Sequence, residues 1–565
     1  MGTSRGLQCS CERRYLQLLA YVIRFQLINP GNPAASYINR QPRIYDLASK
    51  RSFQIAKEWL TNCGNLHDNC PQLKPVPLPT RVIDVGTSTS NQQKLITTNG
   101  ISGYYAALSY CWGAEPQPLV TTQSNIQTLY VDVPTPSLAK TIQEAIFVTR
   151  QLGLRYIWID ALCIIQDSPA DQDAEIKRMG EIYETATVTI VAASATHCKQ
   201  GFLQRRSYPW GVQEWRSFKL PFLCPNGKLG ELILEPTDPY FTGDQPINHR
   251  GWTMQEFILP SRKLVYSTTQ LIWQCRSVQA ELGNKARRVD SIRKDLIKVQ
   301  MLPMLLSSNA SLSPPTQQPT LETLHNVRFN WQILVQNYTS RSLTKREDVL
   351  PGISGIASRF ACFLSEEYKA GLWYSESNKL NFIENLFWSV QKRIGLSSSD
   401  SVQSNVYTAP SWSWAGQPDQ ISWQALPDLL AQEDMVCSIE ECSVQLAGTA
   451  AFGRVKSGIL KVRALTRKLG SIGNGDLDDL QCMVSLLEEE NISVFLDAPT
   501  KNLAARFAPG PLWCILLTVY GGLLIMPLDG KWVRIGIFYE KSAMPTGHTF
   551  GGWIQNLEFE ELTIV

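Results

Sequence analysis

The fold is decided by YYAALSYCWG at residues 104–113, RYIWIDALCIIQD at 155–167 and RGWTMQE at 250–256. Each segment ends in polar or small residues that a buried strand does not require, after an apolar, strand-like run. Polar groups placed where strands end are the usual way in which an α/β sheet builds a functional site. We therefore expect function to reside between residues 104 and 275.

Strand and helix patterns alternate along this region. Strands are predicted at 106–110, 156–159 and 186–193, and the large apolar residues of 156–159 are continuous, as in a sheet covered on both faces. Apolar residues at helical spacing predict one helix with Ser137 as its N-cap and a second that Pro169 opens. This β-α-β-α-β order predicts an α/β fold with a parallel, flavodoxin-like sheet and right-handed crossovers.

The carboxyl ends of such strands border the crevice in which ligands bind. The residues that the sequence places there or in the third segment are Ser109, Trp112, Gly113, Asp160, Gln166, Asp167, Arg250, Trp252 and Glu256. We expect Asp160, Glu256 and Asp167 to be the catalytic candidates. We expect the remaining residues of this set to contact a ligand.

Length and composition indicate an ordinary folded protein with several domains. The 565 residues are predicted to form a helical leader (1–80), the α/β domain (81–285), a boundary loop (286–320) and a mixed α+β C-terminal region (321–565). A net charge of +3 does not suggest a nucleic-acid partner. The 14 cysteines show no framework spacing, which favours a reducing compartment and a cytoplasmic location.

Two apolar stretches resemble membrane elements. Residues 15–28 are interrupted by Arg24 and Gln26, which favours an amphipathic helix over a signal peptide. Residues 511–527 are split by Gly521 and Gly522, which favours a buried hairpin. No membrane partner is predicted.

The motifs resemble those of the fungal heterokaryon-incompatibility (HET) domain. The resemblance rests on ALSYCWG at 107–113, WIDALCIIQD at 158–167 and RGWTMQE at 250–256, in this order and spacing, and extends to APSWSW at 409–414. It implies a role in fungal non-self recognition that leads to growth arrest or cell death. The implied partner is another incompatibility protein or a second copy of the chain.

The HET domain is also regarded as distantly similar to TIR domains, some of which cleave NAD with a helix-borne glutamate. The alternative function is therefore enzymatic: an NAD glycohydrolase, with NAD as substrate, or a HET-like protein recruited to small-molecule metabolism. NAD cleavage needs a carboxylate near the ribose to stabilise an oxocarbenium-like transition state, while Trp112 or Trp252 could stack on a flat ring. A degenerate HET copy that serves as a binding scaffold is a third interpretation.

Each of these residues also has a structural interpretation. Asp160 and Asp167 could cap the turn after a strand, and Trp112 and Trp252 could belong to the core. Cys111 and Cys163 could be nucleophiles beside a histidine, but no motif pairs them with one, which favours buried structural thiols.

A set of metal-ligand residues lies in the leader. Cys63, His67 and Cys70 have a spacing that suits a metal, but zinc needs a fourth ligand and no second Cys/His pair at short spacing follows. A helix end packed with thiol and small polar side chains is the favoured interpretation, and no bound metal is predicted.

Overall fold

The computed structural model describes residues 23–27, 32–37, 44–86, 92–206, 218–236, 245–281, 287–288, 320–391, 406–423, 432–472, 492–498, 510–540 and 557–565. The chain divides into two compact units, Met1–Leu296 and Ile297–Val565. No helix within the described ranges is long and apolar enough to cross a membrane. Most of the predicted boundary loop lies outside these ranges.

The first unit alternates strands and helices. Its strands are β1 (Ile23–Leu27), β2 (Val76–Pro77), β3 (Arg81–Asp84), β4 (Lys94–Thr97), β5 (Ser102–Gly103), β6 (Tyr105–Ser109), β7 (Tyr156–Trp158), β8 (Val188–Val191), β9 (Phe218–Leu223), β10 (Leu229–Pro236), β11 (Arg262–Tyr266), β12 (Leu271–Cys275), β13 (Val278–Glu281) and β14 (Arg287–Arg288). Its helices are α1 (Lys50–Leu66), α2 (Ile126–Val131), α3 (Lys140–Leu152), α4 (Asp160–Cys163), α5 (Pro169–Thr185) and α6 (Thr253–Ile258).

Among the described residues, nine strands form one mixed sheet, in the order β14-β13-β12-β11-β8-β6-β7-β3-β4. The strands β7, β6, β8 and β11 are parallel, and counted along the chain they stand in the order 2-1-3-4. The expectation of an α/β fold is confirmed, whereas the parallel arrangement expected for the sheet holds only for these four strands. Short connections join β3 to β4 and β11 to β12, and such connections can only produce antiparallel pairs.

The predicted core elements are present with small shifts. Every residue of β6 and of β8 is buried, as continuous apolar strands require. Pro169 opens α5, where Ser168 is the N-cap. The prediction that Ser137 caps α3 is wrong. Ser137 ends a 3-10 turn with Pro136, and the extended backbone of Leu138 separates that turn from the helix.

The predicted N-terminal amphipathic helix is also wrong for the part that the structure describes. Residues Ile23–Leu27 form β1, which pairs antiparallel with β10 in a three-stranded sheet that includes β9. The segment IRFQL alternates apolar and polar residues, which is the period of a strand and not of a helix. Residues 15–22 and residue 28 lie outside the described part of the chain.

The second unit is a mixture of helices and mainly antiparallel strands, as expected. Its helices are α7 (Leu321–Thr339), α8 (Ser354–Leu364) and α9 (Lys379–Asn385). Its strands are β15 (Glu367–Lys369), β16 (Leu372–Tyr374), β17 (Trp388–Val390), β18 (Ile421–Trp423), β19 (Cys437–Leu446), β20 (Val455–Ile472), β21 (Ile492–Leu496), β22 (Gly510–Thr518), β23 (Gly521–Leu528), β24 (Lys531–Glu540) and β25 (Glu558–Ile564).

The second unit confirms the buried hairpin predicted at 511–527. Strands β22 and β23 pair antiparallel within a seven-stranded sheet, and Thr518 faces Gly521 at the turn. The same unit buries a charge pair, Arg534 with Asp497, whose Nε–Oδ2 distance is 3.0 Å and whose side chains are 0% and 2% exposed. The guanidinium also lies 3.3 Å from the ring centroid of Trp388.

Candidate functional site

Glu256 and Ser109 join two of the sequence motifs at the end of the central strand. Ser109 is the last residue of β6, and Glu256 lies on α6, which contacts that strand. The Ser109 hydroxyl donates to Glu256 Oε2 at 2.5 Å, and both residues are buried. The contact brings together residues that are 147 positions apart.

Asp160 occupies the corresponding position after β7, where it begins α4. Its Oδ2 accepts from Trp112 Nε1 at 2.8 Å, and its Oδ1 accepts from its neighbour Ala161 N at 2.7 Å. The amide of Gln166 donates to the Asp160 carbonyl at 3.1 Å. The first and second motifs are therefore joined side chain to side chain, and the Ala161 contact shows that Asp160 also serves as the predicted turn cap.

Arg250 supplies the positive charge of this cluster. Its Nη1 donates to the carbonyl of Tyr110, which follows β6. The positive charge of the guanidinium favours the ionised form of both Asp160 and Glu256. It therefore opposes the rise in carboxyl pKa that burial causes. We call Ser109, Trp112, Asp160, Arg250 and Glu256 the carboxylate–arginine cluster.

Burial dominates the electrostatics of the cluster. Loss of solvent raises the pKa of Glu256 from 4.5 to about 7, against the lowering effects of Arg250 and Ser109. Burial also raises the pKa of Asp160, and it raises the pKa values of the neighbouring Tyr110 and Tyr183 well above the ordinary tyrosine value. A carboxyl group that titrates near neutral pH is suited to accept or donate a proton.

The backbone conformation at position 113 requires glycine. Its φ is +87°, and a Cβ added there would lie 2.5 Å from the Cβ of His197. Only glycine tolerates this conformation and this close approach. Gly113 therefore lets the end of the first motif pass against the loop that follows β8.

The remaining predicted site residues lie differently. Asp167 is exposed, and its Oδ1 accepts from the backbone N of Gln123 at 2.8 Å. Gln166 directs its amide toward the Asp160 and Ile164 carbonyls. Trp252 is half-buried and packs against the main core. The structure thus joins Asp160 and Glu256 to one cluster, whereas Asp167 bonds to a surface loop.

Sequence reasoning missed Arg81 as a support of this region. Its buried guanidinium donates to both carboxylate oxygens of Asp171 at 2.7 and 2.6 Å, and to the Cys163 carbonyl at 2.7 Å. Asp171 also accepts from Ile165 N at 2.8 Å. These bonds fasten the second motif to β3 and α5. An arginine at the start of the short, buried strand RVID was the available signal.

The two motif cysteines are buried thiols. Cys111 and Cys163 are 3% and 0% exposed, and burial raises the pKa of both thiols, that of Cys163 to about 12. Such thiols remain protonated near neutral pH and are poor nucleophiles. The structural interpretation of both cysteines is therefore confirmed.

The comparison with protein families agrees with this geometry. Residues 105–256 match the family described as Heterokaryon incompatibility protein (HET). Residues 105–256 therefore form a HET domain. The matched HET segment begins at the first residue of β6 and ends at Glu256, so it contains every candidate site residue. No curated protein and no solved structure matches the chain significantly.

A second group of reactive side chains lies outside the matched HET segment. Cys275, at the end of β12, lies beside Cys63, His67 and Cys70 and completes a group of four side chains that could hold a metal ion. The four ligand atoms lie within 4.8 Å of one another.

Proposed function

We propose that this HET-domain protein acts in fungal non-self recognition and that its activation causes growth arrest or cell death. The observation that carries the proposal is the carboxylate–arginine cluster, in which residues of all three HET motifs meet. Turn capping alone does not require a buried and a half-buried carboxyl group, both with raised pKa values, around one arginine. The motifs therefore serve a common site as well as the fold.

We further propose that the HET domain is flavodoxin-like and TIR-like in fold. The parallel strands β7, β6, β8 and β11 stand in the order 2-1-3-4, and flavodoxin-like sheets have the order 2-1-3-4-5. In such sheets ligands bind where the strand order reverses, beyond the carboxyl ends of the strands. Here that point lies between β6 and β8, and Ser109 with its partner Glu256 lies at the end of β6.

The enzymatic candidate is NAD glycohydrolysis, which the position of Glu256 on a helix favours. In this reaction the bond between the ribose and the nicotinamide nitrogen breaks, and nicotinamide leaves with the electron pair. Water adds to the ribosyl cation, and a carboxylate takes the proton of that water. Glu256 or Asp160 would stabilise the cation and accept this proton.

The expected partner is another incompatibility protein or a second copy of this chain, and the expected location is the cytoplasm. Partner binding would then bring HET domains together and switch the site on. This mechanism unites the two candidate functions, because loss of NAD is one route to cell death.

The test is inducible expression of the intact chain in a filamentous fungus, with growth and cellular NAD measured in the same cultures. The variants are Asp160→Asn and Glu256→Gln, which remove charge and keep shape. The matched control is Glu181→Gln, which alters an exposed carboxylate on α5 that pairs with Arg178 at 3.6 Å.

Growth arrest by the wild type and the control, but not by the two cluster variants, supports the proposal. A matching fall in NAD assigns the hydrolase, whereas arrest at constant NAD assigns a signalling module. Unimpaired growth on expression of the wild type, alone and together with an incompatible partner strain, overturns the proposed function for this chain.

A further inference from the structure

We propose that Cys63, His67, Cys70 and Cys275 bind one structural Zn²⁺ ion. Three thiols and one imidazole whose ligand atoms all lie within 4.8 Å of one another form the ligand set of a closed Cys₃His site. Three of the ligands come from the end of α1 and the turn after it, and the fourth comes from β12.

The separations of the ligand atoms fit a tetrahedron around zinc. Zn–S and Zn–N bonds of about 2.3 and 2.0 Å place a sulfur and a nitrogen ligand about 3.5 Å apart at the tetrahedral angle. His67 Nδ1 lies 3.4 Å from Cys275 Sγ and 3.9 Å from Cys70 Sγ. Both nitrogen–sulfur distances lie within about 0.4 Å of that value, and every pair of ligand atoms lies within 4.8 Å.

The backbone brings the ligands together without strain at the helix end. Cys63 lies in the last turn of α1, and His67 ends the helix with an extended backbone. A turn then follows, in which Cys70 N donates to the His67 carbonyl at 3.1 Å. Cys275 ends β12, a strand that α1 contacts directly.

The surroundings of the sulfurs suit thiolates. Arg262 Nε donates to Cys63 Sγ at 3.2 Å, and Val278 N donates to Cys275 Sγ at 3.4 Å. The hydroxyl of Ser277 lies 3.6 Å from Cys70 Sγ. Donors of this kind orient metal ligands and offset the negative charge that three thiolates carry beyond the charge of zinc.

The ion would link α1 to the nine-stranded sheet of the first unit. Cys63, Cys70 and Cys275 are buried, whereas His67 is half-buried. Because the ligands join residue 63 to residue 275 and come together only in the folded chain, metal binding would stabilise the packing of α1 against β12. This role is structural, and it is independent of the proposed incompatibility function.

The test is the zinc content of the intact, purified chain, measured by inductively coupled plasma mass spectrometry. We expect one zinc per chain in the wild type and near-complete loss in Cys275→Ser and in His67→Ala. His67→Cys should retain zinc, since it replaces one ligand by another. Cys362→Ser is the matched control, because this half-buried thiol donates to the Ser358 carbonyl in the second unit.

Cobalt substitution of the wild type gives a second readout that needs no variant to fold. Thiolate-to-cobalt charge transfer and intense tetrahedral d–d bands, displaced by zinc, support the site. A folded wild-type chain that holds neither metal overturns the proposal. So does zinc that persists in folded Cys275→Ser, or iron in place of zinc.

Discussion

Replacing Glu256 by glutamine should change how the free energy of unfolding of the first unit, Met1–Leu296, depends on pH. Burial raises the pKa of the Glu256 carboxyl from 4.5 to about 7, so the folded protein holds this proton more tightly than the unfolded chain does. Folding therefore becomes less favourable as pH rises from about 4.5 to about 7, because only the unfolded state gains from ionisation in that interval. Glutamine keeps the shape of the protonated acid and has no proton to lose.

The size of the effect follows from the pKa rise. Each pKa unit corresponds to about 1.4 kcal/mol, so the change from 4.5 to about 7 corresponds to roughly 3 kcal/mol. We expect Glu256→Gln and the wild type to be similarly stable near pH 4.5. Above about pH 7 the variant should be more stable by up to roughly 3 kcal/mol. The amide oxygen of the introduced glutamine can still accept the hydrogen bond of Ser109.

The assay is urea unfolding of the intact chain between pH 4.5 and 8, followed by pulsed hydrogen exchange and mass spectrometry. Peptides that contain β6 report the unfolding of the first unit separately from that of the second unit. Glu181→Gln is the control, and its profile should run parallel to that of the wild type. A constant difference between wild type and Glu256→Gln over the whole pH range would refute the argument, since it would mean that Glu256 ionises normally.

Two further predictions concern the second unit. Asp497→Ala leaves the fully buried guanidinium of Arg534 without its carboxylate and should lower the free energy of unfolding by about 3–5 kcal/mol. The double variant Arg534→Met with Asp497→Leu removes both charges and should lower it less. Equal losses of the two variants in a urea titration would contradict this prediction. Gly371→Ala should destabilise by more than about 1 kcal/mol, because Gly371 has a φ of +98° and an added Cβ would lie 2.6 Å from Trp414 Nε1. Gly448→Ala, whose Cβ would meet nothing within 4 Å, is its control in thermal melts and should be nearly neutral.

The sequence by itself determined the elements whose pattern is local. Continuous apolar runs identified β6, β7 and β8, and Pro169 marked the start of α5. The order and spacing of the motifs also identified the family that residues 105–256 match. Hydrophobic period and turn chemistry act over a few residues, so one sequence suffices to recognise them.

Only the tertiary structure decided which distant residues meet. The pairing of Ser109 with Glu256 spans 147 residues, and Cys275 lies far along the chain from Cys63, His67 and Cys70. The antiparallel strands added on both sides of the parallel ones were equally unforeseen. Contacts of this kind depend on strand order and on how helices pack over the sheet. These are set by the burial of the whole core, which no local pattern encodes.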